Sequence, residues 1–149
     1  MISIQRLGVE RAEEIMAFDK LCFPTDFWKE DDWRDLLSDE RAFYYALLDD
    51  GRLAGDVFLY NWQGENDYIK IMNLAVHPDY RRQGLAQKLL AKAAEEMERT
   101  DMKRCCGETR ASNAAMQKTF EACGYQLSRI EENYYENPAE AAYKYVLAR

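Results

Sequence analysis

Histidine is almost absent from this chain of 149 residues; His77 is the only one. The four cysteines, Cys22, Cys105, Cys106 and Cys123, include an adjacent pair but no C-x-x-C spacing. That pattern offers neither a zinc-ligand set nor a disulfide framework, so no metal is expected. A Cys–His catalytic pair has no support in the spacing, and a small buried hydrophobe is the simpler role for each thiol. Long apolar runs are missing too. Stretches such as Ala46-Leu47-Leu48 extend only a few residues, too few to span a bilayer. The opening Met1-Ile2-Ser3-Ile4 lacks the basic and then apolar segments of a secretory leader, which predicts a cytoplasmic address and no membrane partner. Neither of two phosphate-binding patterns occurs: not G-x-x-x-x-G-K followed by Ser or Thr, and not G-x-G-x-x-G.

Positive charge is also in short supply. The net charge is −7, which argues against a nucleic-acid partner, because phosphate-backbone affinity rests on clustered Lys and Arg releasing counterions. An acidic surface suits a cationic partner such as an amine or a basic protein tail, and it equally serves solubility alone. With 48% hydrophobic and 32% charged residues the chain is globular, and its length suits one domain over residues 1–149.

Periodicity supplies the elements. Residues 2–7 read as a strand, and Ala12, Ile15, Phe18 and Cys22 mark one face of a helix over 9–22. Thr25 or Asp26 is the expected cap of a second helix carrying Trp33, Leu36 and Leu37. Two strand-like runs flank Asp49-Asp50-Gly51, a hairpin signal. Residues 68–76 form a strand expected to run from a half-exposed start into a covered centre, with Asn73 interrupting its apolar half. Leu85, Leu89, Leu90, Ala93 and Met97 line one face of a helix ending near Arg99. A strand over 103–110 follows, then a helix expected to be capped by Ser112 and stopped by Gly124, and two final strands around "NYYENPAE". The order β-α-α-β-β-β-α-β-α-β-β fits an α/β (α+β) architecture, a mixed sheet covered by helices on both faces.

Within the net negative chain, two adjacent arginines and a glycine stand at one strand-helix junction in "NLAVHPDYRRQGLAQKLL", residues 73–90. A strand enters it and a helix leaves it, so the segment Arg81-Arg82-Gln83-Gly84-Leu85-Ala86 offers unpaired helix N-terminal amides, a helix dipole and two guanidinium groups to an anion. Gly84 and the small Ala86 permit close backbone approach to a diphosphate. Taken alone, R-x-x-G-x-A reads equally well as a solvated basic turn before a helix.

This stretch resembles the acetyl-CoA motif of the GNAT superfamily of N-acyltransferases, where a strand ending "AV-x-P" precedes R/Q-x-x-G-x-G/A and a helix with a Leu-Leu pair. "ETRASNAAMQKTFEACGY", residues 108–125, is similar to the family's next strand and helix, with E-x-R-x-S-N and a terminal aromatic after glycine. "CFP" at 22–24 and "NYY" at 133–135 are similar to the RimI branch, which acetylates the N-terminal amine of a ribosomal protein. The resemblance is specific over residues 72–135 and loose before Tyr68. It implies a GNAT-like fold and acetyl-CoA as co-substrate. It also implies an amine acceptor, a protein N-terminus before a small molecule, and a monomer or homodimer.

The resemblance also implies roles for particular residues. Leu74, Ala75 and Val76 would bind the pantetheine arm and thioester through main-chain groups, a role compatible with plain core strand. An N–H directed at the thioester carbonyl there would stabilise an oxyanion by roughly 3 kcal/mol. Arg81, Arg82, Gln83, Gly84, Leu85, Ala86 and Gln87 would cradle the diphosphate. Asn113 matches an asparagine that touches CoA, and serves as readily to start the helix. Glu108 occupies the position of the general base, which the reaction needs because an α-amine with a pKa near 8 is mostly protonated at pH 7. An ion pair with Arg110 or another basic residue is its structural alternative.

Phe120 departs from the branch. It takes the position of the tyrosine that serves as general acid, cannot donate a proton, and is grouped with the coenzyme-contacting residues. Three readings stay open: another tyrosine substitutes, with Tyr135 and then Tyr134 as candidates; water protonates the thiolate; or activity is weak. Both tyrosines also suit an aromatic wall for the acceptor. The expected function is acetyl transfer from acetyl-CoA to a primary amine by direct attack in a ternary complex, with no cysteine nucleophile. A catalytically idle acyl-CoA-binding module is the rival.

Overall fold

The computed structural model describes residues 1–149. Its strands are β1 (Ile2–Arg6), β2 (Ala42–Asp49), β3 (Arg52–Asn61), β4 (Ile69–Val76), β5 (Arg104–Arg110), β6 (Gln126–Tyr135) and β7 (Glu140–Ala148). The helices are α1 (Ala12–Cys22), α2 (Glu30–Leu37), α3 (Leu85–Arg99) and α4 (Ala114–Ala122), with short 3-10 turns at Val9–Arg11 and Pro78–Tyr80. The element order is the one expected from the sequence. The strands follow one another in the order β1-β2-β3-β4-β5-β7-β6, with β4 and β5 parallel and β1–β2, β2–β3, β5–β7 and β6–β7 antiparallel. No helix is long and apolar enough to cross a membrane. Two compact units divide the chain, one of Met1–Tyr60 with Met72–Leu89 and the other of Asn61–Ile71 with Leu90–Arg149.

In the first unit β1, β2 and β3 form an antiparallel ribbon whose tight turn places Asp50 at φ 48° and Gly51 at φ 87°. Both are left-handed conformations, as a two-residue hairpin of right-twisted strands requires. One sheet face is covered by α1 and α2 around Trp33, Tyr44 and Phe58. The Trp33 and Phe58 rings stack at 5.3 Å, and Tyr44 meets Trp33 edge-on at 6.0 Å. Burying a Phe-sized side chain contributes about 1.5–3 kcal/mol, so this aromatic cluster is the main stabiliser of the unit. On the opposite face, a Cβ at Gly55 would stand 3.3 Å from Leu47 and 3.4 Å from Leu89, so the first turns of α3 lie close over the sheet there.

A buried carboxylate organises the helical face. Asp19 on α1 accepts hydrogen bonds from the Trp28 amide (2.9 Å), the Trp33 indole (2.8 Å) and the Asn73 side chain (3.2 Å). This corrects two expectations. Neither Thr25 nor Asp26 caps α2; the helix starts at Glu30 after Lys29, with no side-chain cap, because Asp19 fixes the preceding chain at Trp28. Nor does β4 run into a covered centre: Ile69 and Ile71 are buried while Met72, Asn73, Leu74 and Val76 are half-buried.

In the second unit β5 pairs with β7, and β7 with β6. Its core holds the Phe120 ring stacked on Tyr145 at 4.9 Å and beside Tyr125 at 5.0 Å. Gly107 lies beneath it: an added Cβ would stand 2.7 Å from the Phe120 ring, closer than side-chain carbons come. The cap of α4 is Asn113, whose Oδ1 accepts from the Met116 amide at 3.1 Å, rather than Ser112. The Ser112 amide instead donates to the Glu140 carboxylate. Gly124 ends the helix at φ 90°, as expected. The sixth strand runs further than the sequence suggested, so "NYY" belongs to β6.

Candidate active site

Two separate assemblies carry the chemistry. The first, in the first unit, is the turn between β4 and α3. His77 closes β4: its amide donates to the Ala54 carbonyl at 2.8 Å, and its Nδ1 accepts from the Asp79 amide at 3.0 Å. Tyr80 packs edge-on against the His77 ring, and its hydroxyl donates to Asp49. The loop is thus pinned before the arginines begin. Arg82 takes φ 65° and Gly84 φ 74°, and nothing lies within 4 Å of where a Gly84 Cβ would be.

Residues 81–84 are exposed, whereas Leu85 and Leu89 are buried and anchor α3 beneath them. The Lys88 amide is bonded to the Gly84 carbonyl at 3.2 Å, so Gly84 caps the helix and the amides of Leu85, Ala86 and Gln87 are its unpaired first-turn donors. Open space at Gly84, three first-turn donors and the exposed Arg81 and Arg82 together fit a diphosphate. The seven residues expected from the sequence as a cradle, 81–87, run consecutively from this exposed loop into the first turn of α3. Leu74, Ala75 and Val76 lead into them on β4, with the Val76 carbonyl 4.0 Å from the Cys22 thiol.

The second assembly belongs to the second unit and is made of side chains. Glu108 on β5 lies opposite Lys144 on β7 in the register. Its Oε1 is 3.4 Å from the Lys70 ammonium, and its Oε2 is buried with no hydrogen-bond partner. The ion-pair partner is therefore Lys70 of β4, while Arg110 pairs with Glu140 at 3.1 Å. Burial first, and then a hydrogen bond to Glu108, raise the Tyr134 hydroxyl above the usual phenol range, so it stays protonated at neutral pH. The Lys144 ammonium sits 4.5 Å over the Tyr134 ring and 3.5 Å from Glu131.

Tyr135 is placed differently. Its ring meets Tyr134 edge-on at 5.0 Å and lies 4.6 Å beneath the Arg110 guanidinium. Of the two tyrosines, Tyr134 is the one whose titration is coupled to Glu108. Phe120 is 1% exposed and enclosed by Gly107, Tyr125 and Tyr145, so its ring packs in the core of this unit. Asn113 is exposed and spends its Oδ1 on the helix cap.

Sequence reasoning missed Lys70, Asp19 and Asp56. Asp56 on β3 is 1% exposed, accepts from the Tyr44 hydroxyl at 2.6 Å, and is pushed up to about 7, mainly by burial. An aspartate in the middle of an apolar run ("LAGDVFLY") was its one visible signal. The thiols are poor nucleophiles at neutral pH: burial pushes Cys22 and Cys105 up to about 12 and raises Cys106 and Cys123.

A strand leading into an arginine-glycine loop over a helix start, and a carboxylate on the next strand, are the parts an acyl-CoA-dependent transferase needs. The acetyltransferase (GNAT) family matches residues 10–125, and the chain belongs to it. The chain is 35% identical to the ribosomal protein bS18-alanine N-acetyltransferase of Escherichia coli (strain K12) over 64% of its own length and 63% of the relative's. It is 29% identical to a candidate ribosomal protein bS18-alanine N-acetyltransferase of Bacillus subtilis (strain 168), over 94% of this chain and 91% of that one. The crystal structure of the ribosomal-protein-S18-alanine N-acetyltransferase from Escherichia coli superposes with a TM-score of 0.88 at 27% identity, covering 99% of this chain and 94% of that one. The protein is an acetyl-CoA-dependent N-acetyltransferase of the GNAT family, similar to the ribosomal-protein-alanine N-acetyltransferases.

Proposed function

We propose that the protein acetylates the N-terminal amine of another protein, an alanine-initiated terminus first among the acceptors, and that Glu108 is the general base. The observation that carries the base assignment is the Glu108 carboxylate, with one oxygen held at Lys70 and the other buried without a partner. The acceptor class rests on the relatives named above, which act on the alanine terminus of a ribosomal protein.

Bound acetyl-CoA supplies the acetyl group as a thioester. Toward it, the amides of residues 85–87 and the guanidinium groups of Arg81 and Arg82 hold the diphosphate, and the main chain of Leu74, Ala75 and Val76 aligns the pantetheine arm. Glu108 takes the proton released by the attacking amine, which must be neutral to react. Tyr134, protonated at neutral pH, is the hydroxyl that replaces the donor missing at Phe120 and protonates the departing thiolate. Tyr135, under Arg110, serves as an aromatic wall.

The test is thiol release from acetyl-CoA with a panel of peptides and small amines. Acceptor-dependent turnover with an alanine-initiated peptide, reduced about 100-fold or more in Glu108→Gln while CoA affinity is unchanged, supports the reading. Turnover only with small amines transfers the assignment to that acceptor class. CoA binding without release for any acceptor defines an idle acyl-CoA-binding module.

A further inference from the structure

Lys70 is the cation in contact with Glu108, and its placement follows from strand pairing. On β4 it is the register partner of Cys106, two residues before Glu108 on the same face of β5. From there its ammonium reaches Oε1 at 3.4 Å, with Lys70 about one third exposed and Glu108 15% exposed. The other neighbouring strand brings Lys144 directly opposite Glu108, but that ammonium is directed to the Tyr134 ring and to Glu131. Tyr134 on β6 lies close enough for the Glu108 charge to act on its hydroxyl. So of two lysines flanking one carboxylate, one is assigned to it and one to the aromatic beside it. A buried carboxylate oxygen without a partner is rare in folded proteins, and at Glu108 that oxygen is Oε2 alone.

We infer that Lys70 is a positioning residue: it holds Oε1 so that Oε2 is the oxygen that receives the acceptor's proton, and it disfavours docking of the acceptor in its protonated form. The inference rests on the reading of Glu108 as the base. An α-amine with a pKa near 8 is mostly an ammonium at pH 7, and a lone carboxylate would bind that form in an unproductive ion pair. With Lys70 at Oε1, the carboxylate is already neutralised, and a second cation approaching it is repelled. A neutral amine meets no such repulsion. Its nitrogen bonds to the acyl carbon, its proton passes to Oε2, and the electron pair of the broken C–S bond leaves with the sulfur.

Steady-state kinetics with an alanine-initiated peptide and acetyl-CoA, at pH 7, test this with Lys70→Met, Lys70→Arg and Glu108→Gln side by side. Lys70→Met is expected to lower kcat about 10-fold with the acetyl-CoA KM unchanged and the acceptor KM unchanged or lower. Lys70→Arg, which keeps the charge, is expected to restore kcat to within about 3-fold of the parent. A merely structural lysine gives the other pattern: both variants lose activity alike, with both KM values raised and the melting temperature lowered, which would overturn the inference. Parental kcat in Lys70→Met alongside a large loss in Glu108→Gln overturns the role of Lys70 and leaves the base in place. Parental activity in Glu108→Gln overturns the base assignment itself.

Discussion

Asp56 and Glu108 are both carboxylates on sheet strands, both have one buried oxygen with no partner, and each is electrostatically coupled to a tyrosine, Tyr44 through a hydrogen bond to Asp56 and Tyr134 near Glu108. They differ in what else surrounds them. Asp56 is fully enclosed, beside Tyr44 and near a second acidic group, Asp19, and burial pushes it up to about 7. Glu108 is 15% exposed and has an ammonium at 3.4 Å. Enclosure without a cation makes a carboxyl group that tends to hold its proton, a structural element whose charge the fold penalises. Partial exposure with a counter-charge leaves a carboxylate that can be reached from outside and whose charge is balanced. Two similar residues are separated by one lysine and a small opening.

The largest effect expected from this contrast is on stability, at Asp56. Its folded value lies above its unfolded one of 3.8, so the folded state binds the proton more tightly. Its contribution to stability is therefore complete below pH 4, is lost as pH rises toward 7, and is constant above. In urea unfolding, Asp56→Asn should lack that slope, and the stability difference between variant and parent should shift in the variant's favour by about 3 kcal/mol between pH 4 and pH 8. Parallel curves for the two proteins would erase the contrast with Glu108. Next comes Gly107→Ala, which pushes a methyl against the Phe120 ring next to the Glu108 backbone and should cost about 1–3 kcal/mol in thermal or urea unfolding. The smallest is Tyr134→Phe, expected to lower kcat about 10-fold with an unchanged melting temperature, whereas Tyr44→Phe should lower stability by about 1 kcal/mol and spare kcat. Equal behaviour of the two tyrosine variants would show that their carboxylates are not different in kind.

How much was legible follows the same division. The proposed diphosphate cradle is main chain, and its parts are consecutive: strand, two arginines, glycine, helix. Spacing along the chain lays these parts side by side, as it does the Asp50-Gly51 turn and the apolar face of α3, but only the family resemblance separates a cradle from a basic turn. The amine side is made by side chains of Lys70, Glu108, Tyr134 and Lys144, drawn from four strands, and their meeting depends on register. Sequence proposed Glu108 through a family pattern and could not propose Lys70. The start of α2 was misjudged for a related reason. Thr25 and Asp26 are good local caps, but Asp19, far upstream on α1, fixes the backbone at Trp28 and the indole of Trp33. Ser112 and Asn113 are equally good caps on paper, and the pull of Glu140 on the Ser112 amide decides between them.

The turn after Tyr135 has a consequence of its own. A single guanidinium, Arg110, donates to the Pro138 carbonyl at 2.9 Å, the Glu136 carbonyl at 2.7 Å and the Glu140 carboxylate at 3.1 Å, and covers the Tyr135 ring. Those bonds remove the turn's conformational freedom when the chain folds. Under the proposed function, a peptide arriving at Tyr135 would meet a surface already ordered, so the entropy lost on association would be chiefly the peptide's own. Weak side-chain contacts can then suffice for selection among termini, because little of their energy is spent in shaping the enzyme.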